Sequence, residues 1–169
     1  MEEPLLGRIT GIGKRHDRKH FDSGNPTLDE WFVAYARQAD RKGTTRVFVG
    51  EQAGQSNRVL GFYALSAGEI AIEDLPPTQR KQLPRYPVPV VRLTRLAVAR
   101  SCQGRGLGGM LLVDALRRCV DVSTQLGTVA VVVDAIDKNA ATFYERYGFI
   151  NLTGKPLKLF LPIVTVRDL

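Results

Sequence analysis

One stretch of this chain has residue types and spacing that can do chemistry: Gln103-Gly104-Arg105-Gly106-Leu107-Gly108-Gly109, set between an apolar strand-like run and an amphipathic helix. Glycines let a backbone approach a ligand closely and take positive φ. The free N–H groups at the start of the helix then converge on an anion, helped by the helix dipole. A diphosphate fits such a cradle. Gly104, Gly106 and Gly109 also satisfy a dinucleotide fingerprint, and Asp134 closes the next apolar run, where a ribose-binding acid could fall. Against that rival, the fingerprint normally opens its domain, whereas about a hundred residues come first here. Only 35 residues follow Asp134, too few for the rest of such a fold. A nucleoside-triphosphate loop is excluded, because no Lys-Ser or Lys-Thr follows the glycines. A turn made for packing alone explains poorly why glycines and polar residues run up to a well-formed helix.

The elements that must position this loop follow from the apolar pattern. Leu28, Trp31, Phe32, Tyr35 and Ala39 share one face of a helix opening at Asn25-Pro26, and Thr27 with Glu30 offers a capping box. Arg46 to Gly50 and Val59 to Ile72 read as strands, joined as an antiparallel hairpin by Gly54-Gln55-Ser56-Asn57. Five prolines between Glu73 and Pro89 predict an irregular excursion with a short helix near Gln79. Val90 to Ala99 returns to strand. Leu107 to Val120 is an amphipathic helix, with Leu107, Leu111, Ala115 and Leu112, Leu116, Cys119 recurring at helical spacing. Thr128 to Ala135 is apolar enough for a strand covered on both faces. Ala140 to Tyr147 predicts a short helix stopped by Gly148, and Leu157 to Val166 a last strand that Pro162 bends or puts at an edge. This order predicts an α/β (α+β) fold, with a mixed, mostly antiparallel central sheet flanked by helices.

Length allows one well-buried domain over residues 1–169 rather than two. Hydrophobic residues at 44% and charged residues at 24% give the balance of a soluble globular protein. No run approaches the roughly 18 apolar residues of a membrane helix, so no membrane partner is expected. Met1 to Thr10 carries Glu2 and Glu3 and is not a secretory signal, which makes a cytoplasmic location the expectation. Cys102 and Cys119 match no zinc spacing, and His16 and His20 cannot complete a ligand set, so no metal is expected. The cysteines read as one partly buried and one loop thiol in a reducing compartment. The net charge of +7 is uneven. Leu75 to Val113 holds Arg80, Lys81, Arg85, Arg92, Arg95, Arg100 and Arg105 with no acid, while the other 17 basic residues meet 17 acidic ones. A second cluster, Lys14, Arg15, Arg18 and Lys19, is diluted by Asp17. Such concentration favours a nucleic-acid partner, with part of the charge answering to a phosphate-bearing cofactor.

Two separate motifs now carry a resemblance. Leu93-Thr94-Arg95-Leu96-Ala97-Val98 followed by Gln103-x-x-Gly106-x-Gly108 resembles the acetyl-CoA motif of the GNAT superfamily of N-acetyltransferases. Ala140-Ala141-Thr142-Phe143-Tyr144-Glu145-Arg146-Tyr147-Gly148-Phe149 resembles that superfamily's closing Tyr-x-x-x-Gly-Phe element, so the core spans about residues 90–150. The resemblance implies acetyl-CoA as co-substrate, with the backbone of Leu96, Ala97 and Val98 along the pantetheine arm. It puts Gln103, Gly104, Arg105, Gly106, Leu107, Gly108 and Gly109 around the pyrophosphate, and a backbone N–H near Val98 on the thioester carbonyl. Tyr144 is implied as the acid that protonates the leaving thiolate, a phenol of pKa about 10 being protonated at neutral pH. Tyr147 would anchor the helix. Relatives often carry an Asn just before this helix; here Asp137 holds that register and Asn139, two residues on, is the candidate CoA contact. Glu69 is the best-placed carboxylate for a general base, although an acceptor amine of lowered pKa would need none.

Nearly the whole chain is similar to one branch, the bacterial acetyltransferase toxins of toxin–antitoxin pairs. The similarity runs through Phe21-Asp22-Ser23-Gly24, Leu28-Asp29-Glu30-Trp31, Arg46-Val47-Phe48-Val49, Gly61-Phe62-Tyr63-Ala64-Leu65-Ser66 and Leu83-Pro84-Arg85-Tyr86-Pro87-Val88-Pro89. Ser23 stands where many relatives carry Cys. This likeness implies an aminoacyl-tRNA acceptor acetylated on its α-amino group, a block on translation, a ribbon–helix–helix antitoxin and a homodimer. Arg80, Lys81, Arg85, Arg92 and Arg95 would then track tRNA phosphates. Two other readings stay open: an N-acetyltransferase for a small amine or protein terminus, and an inert CoA-binding or nucleic-acid-binding module. The first should gather acidic residues at its acceptor site, and the second would be free to lose Tyr144.

Overall fold

Asn25, not Thr27, starts the first helix of the computed structural model, which describes residues 5–167 and so leaves Glu2 and Glu3 outside the described residues. The Asn25 side chain accepts from the Leu28 N–H at 3.1 Å, and Pro26 takes the first helical position, where no N–H is needed. The expected capping box is therefore replaced by a cap two residues earlier. The expected single helix is also two: α1 (Pro26–Ala34) and α2 (Ala36–Lys42) part at Tyr35, whose φ of −125° breaks the helical run. The break swings Tyr35 off the apolar face and leaves it exposed, while Phe32 and Ala36 are fully buried.

Before them lies β1 (Leu6–Gly11), and after them β2 (Arg46–Gln52) and β3 (Gln55–Ile70) form the expected hairpin. The short α3 (Pro77–Arg80) sits within the proline-rich excursion near Gln79, as expected. Then come β4 (Val88–Val98), α4 (Leu107–Ser123), β5 (Ala130–Asp134), α5 (Lys138–Glu145), β6 (Ile150–Leu152), β7 (Lys155–Pro162) and α6 (Ile163–Val166). The strands make one seven-stranded sheet, order β1-β2-β3-β4-β5-β7-β6. β4 and β5 are parallel across the α4 crossover, and the β1–β2, β2–β3, β5–β7 and β6–β7 pairs are antiparallel. The mixed, mostly antiparallel sheet is the one expected, and it rules out the dinucleotide fold.

Three short elements have no sequence signal: β1, β6 and α6. Pro162 neither bends a longer strand nor marks an edge. It closes β7 opposite Ala130, inside the sheet between β5 and β6, and opens α6. Both cysteines are buried, contrary to the expectation of one partly buried and one loop thiol. Burial pushes the Cys119 thiol up to about 12.

The chain divides into two compact units, residues up to Ser66 with Thr94–Ala115, and Ala67–Leu93 with Leu116 onward. In the first, Phe32 and Phe62 stack at 4.2 Å and 7°, with Phe21 edge-on to both. Gly50 and Gly61 face each other across β2 and β3 and leave a notch for Leu111 of α4. A Cβ on Gly61 would lie 2.7 Å from Leu111 Cδ1 and 2.8 Å from the Ala97 carbonyl, which belongs to backbone and cannot step aside. Gly61→Ala should therefore cost about 1–3 kcal/mol in urea unfolding, as overpacking does. Gly50→Ala, whose tight contact is a flexible Leu6 methyl, should cost less. In the second unit Ile70, Leu75, Val88, Val90, Val132 and Phe160 form the core.

Candidate active site

β4 pairs with β5 only from Val90 opposite Ala130 to Leu93 opposite Val133, then runs on to Val98. A single 3₁₀ turn, Arg100–Cys102, leads into the glycine loop. Gly104 and Gly106 take φ of +80° and +82°, with open space where a Cβ would be, so conformation rather than crowding requires glycine at both. The Gln103 amide donates to the carbonyls of Val98 at 3.0 Å and Ser23 at 2.8 Å. Gln103 thus braces the loop against the end of β4. Ser23 is held in turn by Asp29, whose carboxylate accepts from its hydroxyl at 2.6 Å and its N–H at 3.0 Å. Arg105 is exposed and Leu107 buried, and Gly108 and Gly109 fall in the first turn of α4. The first N–H groups of that helix have no acceptor within the helix. Leu96 and Val98 are partly exposed and Ala97 buried, on the stretch of β4 beyond its β5 pairing.

In the second unit Asp137 caps α5, accepting from the Ala140 N–H at 2.8 Å, so its carboxylate is spent on the helix. Asn139 is exposed. Tyr144 is 6% exposed, clasped edge-on by Phe143 at 5.1 Å and Phe149 at 5.5 Å. Its hydroxyl makes no hydrogen bond to the described residues. Burial pushes its pKa above the ordinary phenol value. A phenol held in this way stays protonated and keeps its O–H for a ligand. Tyr147 packs on Phe143 at 5.4 Å, consistent with an anchor. Glu69 is exposed at the end of β3, and among the described residues its carboxylate has no hydrogen-bond partner.

The basic segment divides into engaged and free charges. Arg92 lies across Gly68, donates to the Glu69 carbonyl at 3.2 Å and pairs with Asp134 at 3.7 Å. Asp134 is shared with Lys158, which leaves the rival ribose-binding role without a candidate. Arg100 pairs with Asp22. Lys81 and Arg85 are exposed and Arg80 partly so, and among the described residues none of the three has an ion pair. Tyr86, 65% exposed beside Arg85, is an aromatic surface that charge counting passes over. Arg95 lies flat over Trp31, 4.0 Å from the ring centroid. Among the described residues no group of His, Cys, Asp or Glu could hold a metal ion, and no helix is long and apolar enough to cross a membrane.

One charged cluster in the first unit escaped the sequence. Glu51 of β2 is 2% exposed and meets Arg8 Nε at 2.8 Å, His16 Nε2 at 2.7 Å, and Arg15. His16 Nδ1 accepts from the Gly13 N–H at 2.9 Å, so the ring proton sits on Nε2 and is donated to Glu51. Burial works against the carboxylate's charge, but His16, Arg8 and Arg15 together outweigh it and hold its pKa below the usual range. The cluster pins the 12–16 segment to the sheet.

A family profile described as the acetyltransferase (GNAT) domain matches residues 42–151, from the end of α2 through β6. The chain belongs to the GNAT acetyltransferases. As a GNAT enzyme it takes its acetyl group from acetyl-CoA, and the positive-φ glycines Gly104 and Gly106 ahead of α4 have the chemistry to fit a diphosphate. The "tRNA-acetylating toxin" of Mycobacterium tuberculosis (strain ATCC 25618 / H37Rv) is 40% identical over 158 residues, covering 94% of this chain and 93% of its own. AtaT complexed with acetyl-methionyl-tRNAfMet superposes with a TM-score of 0.89 at 28% identity, over 95% of this chain and 97% of that one. A mutant AtaT toxin bound to the C-terminus of the antitoxin AtaR and acetyl-CoA gives 0.82 at 26% identity, over 98% of each chain. The GNAT fold therefore holds along nearly the full length.

Proposed function

We propose that this enzyme acetylates the α-amino group of aminoacyl-tRNA and so acts as a translation-blocking toxin. The observation that carries the reading is the 40% identity to a tRNA-acetylating toxin over almost the whole chain. The charge distribution agrees with it: Arg80, Lys81 and Arg85 stand without ion pairs among the described residues, beside exposed Tyr86, on a segment with no acid. A small-amine acetyltransferase would instead concentrate carboxylates there. The likeness to AtaT, solved bound to the C-terminus of its antitoxin, supports an antitoxin for this chain. From the family resemblance alone we add that the antitoxin is of ribbon–helix–helix type and the enzyme a cytoplasmic homodimer. We also read the chain as one catalytic domain, since β3, β4 and α4 each contribute residues to both compact units.

In this reading the glycine loop, braced by Gln103, fixes the pyrophosphate, and the free stretch of β4 at Leu96–Val98 fixes the pantetheine arm. Holding the thioester in one geometry makes attack by the amine effectively unimolecular. A backbone N–H near Val98 steadies the charge that grows on the carbonyl oxygen. The amine nitrogen forms the new C–N bond as the C–S bond breaks. Tyr144 gives its proton to the sulfur, and the proton shed by the amine restores the phenol through solvent. No general base is required, because an α-amino group titrates near 8, far below a lysine at about 10.4, and a neighbouring ester lowers it further. Asn139, exposed at the start of α5, remains the candidate for a contact with the CoA moiety.

Radiolabelled acetyl-CoA offered with charged total tRNA, deacylated tRNA, polyamines and peptides tests the acceptor. Label is expected on charged tRNA alone. Label on a polyamine or peptide instead would overturn the acceptor and leave the acetyltransferase standing.

A further inference from the structure

Arg95 differs from the other engaged arginines in what holds it. Arg8 and Arg15 meet Glu51, Arg92 meets Asp134 and Arg100 meets Asp22. Among the described residues Arg95 has no ion pair and lies over the face of Trp31. Trp31 lies roughly parallel to Phe62 at 6.1 Å, and Phe62 stacks on Phe32, so the ring that holds the guanidinium is itself rooted in the core of the first unit. Among the described residues its N–H groups have no acceptor, although it is only partly exposed. Partial burial works against its charge, and no carboxylate compensates. A guanidinium with its face occupied and its N–H fork unmet suits one class of ligand, a phosphate or carboxylate taken edge-on through two parallel hydrogen bonds. The neighbouring segment's charge selects the phosphate of a nucleic acid.

Distance selects which phosphate. Arg95 precedes Val98 by three strand residues, roughly 10 Å along β4. In a 3′-aminoacyl ester the α-amine and the 5′ phosphorus of the same terminal nucleotide are separated by about eight bonds, a stretch of at most roughly 9–10 Å. Measured between Cα positions, this stretch of β4 is on the scale of the reach from a terminal phosphate to its own amine, whereas the next phosphate back lies a whole nucleotide farther. We propose that Arg95, held flat by Trp31, grips the 3′-terminal phosphodiester of charged tRNA and sets the reach of the aminoacyl amine. This inference rests on aminoacyl-tRNA being the acceptor.

The test compares aminoacyl-tRNA, 5′-phosphorylated aminoacyl-adenosine and unphosphorylated aminoacyl-adenosine as acceptors for the wild type, Arg95→Lys, Arg95→Ala, Trp31→Phe and Trp31→Ala. Both Arg95 variants should raise KM roughly 10–100-fold for the two phosphate-bearing acceptors, the weight of a hydrogen-bonded charge, with kcat little changed. The unphosphorylated acceptor should be used equally by wild type and variants. Trp31→Ala should follow Arg95→Ala, and Trp31→Phe, which keeps a ring face, should restore most of the KM. Should Trp31→Ala fail to fold, the surface substitution Arg95→Lys still decides the matter. An equal loss on all three acceptors, or none on any, overturns the proposal. A wild type that acetylates no charged tRNA overturns the acceptor reading itself, and that outcome is visible before any variant is compared.

Discussion

Tyr144→Phe should lower kcat for acetyl transfer by about 10²–10³-fold while leaving the melting temperature and the KM for acetyl-CoA close to wild type. The two halves of this expectation come from one observation. The Tyr144 ring is clasped by Phe143 and Phe149, contacts that phenylalanine keeps, and its hydroxyl makes no hydrogen bond to the described residues. Removing the oxygen therefore costs the fold nothing. The catalytic cost is the proton. A thiol of pKa about 8.5 leaves as thiolate, and a phenol of pKa about 10 gives up its proton uphill by about 2 kcal/mol. Burial steepens that climb. In the proposed reaction Tyr144 would therefore work best as a hydrogen-bond donor to the sulfur, releasing its proton only as the amine's proton becomes available to replace it. Single-turnover kinetics alongside thermal unfolding would check both halves. A Phe variant that turns over at the wild-type rate would falsify the role.

The largest effect on stability is expected at Glu51. Its carboxylate is 3% exposed, but Arg8 and Arg15 are 65% and 42% exposed, so water can take over both arginines once the carboxylate is gone. His16, at 0%, has no such recourse. Glu51→Ala should therefore cost about 3–5 kcal/mol, combining a cavity with a buried ring N–H left without an acceptor. Glu51→Gln keeps an oxygen for His16 and should cost about 1–2 kcal/mol. The pH dependence has a definite sign. Because folding lowers the Glu51 pKa, its charge stabilises the fold fully above the unfolded value of about 4.3, and that contribution is lost as pH falls through the folded value. The gap between wild type and Glu51→Gln in urea unfolding should be widest at neutral pH and close below about pH 4.

What the sequence disclosed was whatever local pattern decides. The glycine loop depends on backbone conformations that only glycine takes easily, so Gly104 and Gly106 were readable in place. Helical spacing marked all six buried positions of α4 from Leu107 to Cys119. What stayed hidden depends on residues that meet only in the folded chain. The strand around Glu51 read as ending at Gly50, because nothing nearby in sequence shows that Arg8, Arg15 and His16 converge on the next residue. A charge count could not separate Arg92 and Arg100, already paired, from Lys81 and Arg85, which have no ion pair among the described residues. Trp31 read as one of five core residues on a helix, and its contact with Arg95 became visible only with β4 in place. Tyr35 was assigned to the core because periodicity cannot foresee a helix that breaks.

An enzyme that handles an activated thioester risks acylating itself, since any accessible thiolate exchanges readily with the donor. Cys102 stands at the threshold of the glycine loop and Cys119 lies on the helix that follows it, yet both are buried. With its thiol pushed up to about 12, Cys119 offers almost no thiolate at neutral pH. Burial of these two side chains therefore guards chemical selectivity as well as packing: the acetyl group meets no nucleophilic sulfur of the protein's own and is kept for an incoming amine.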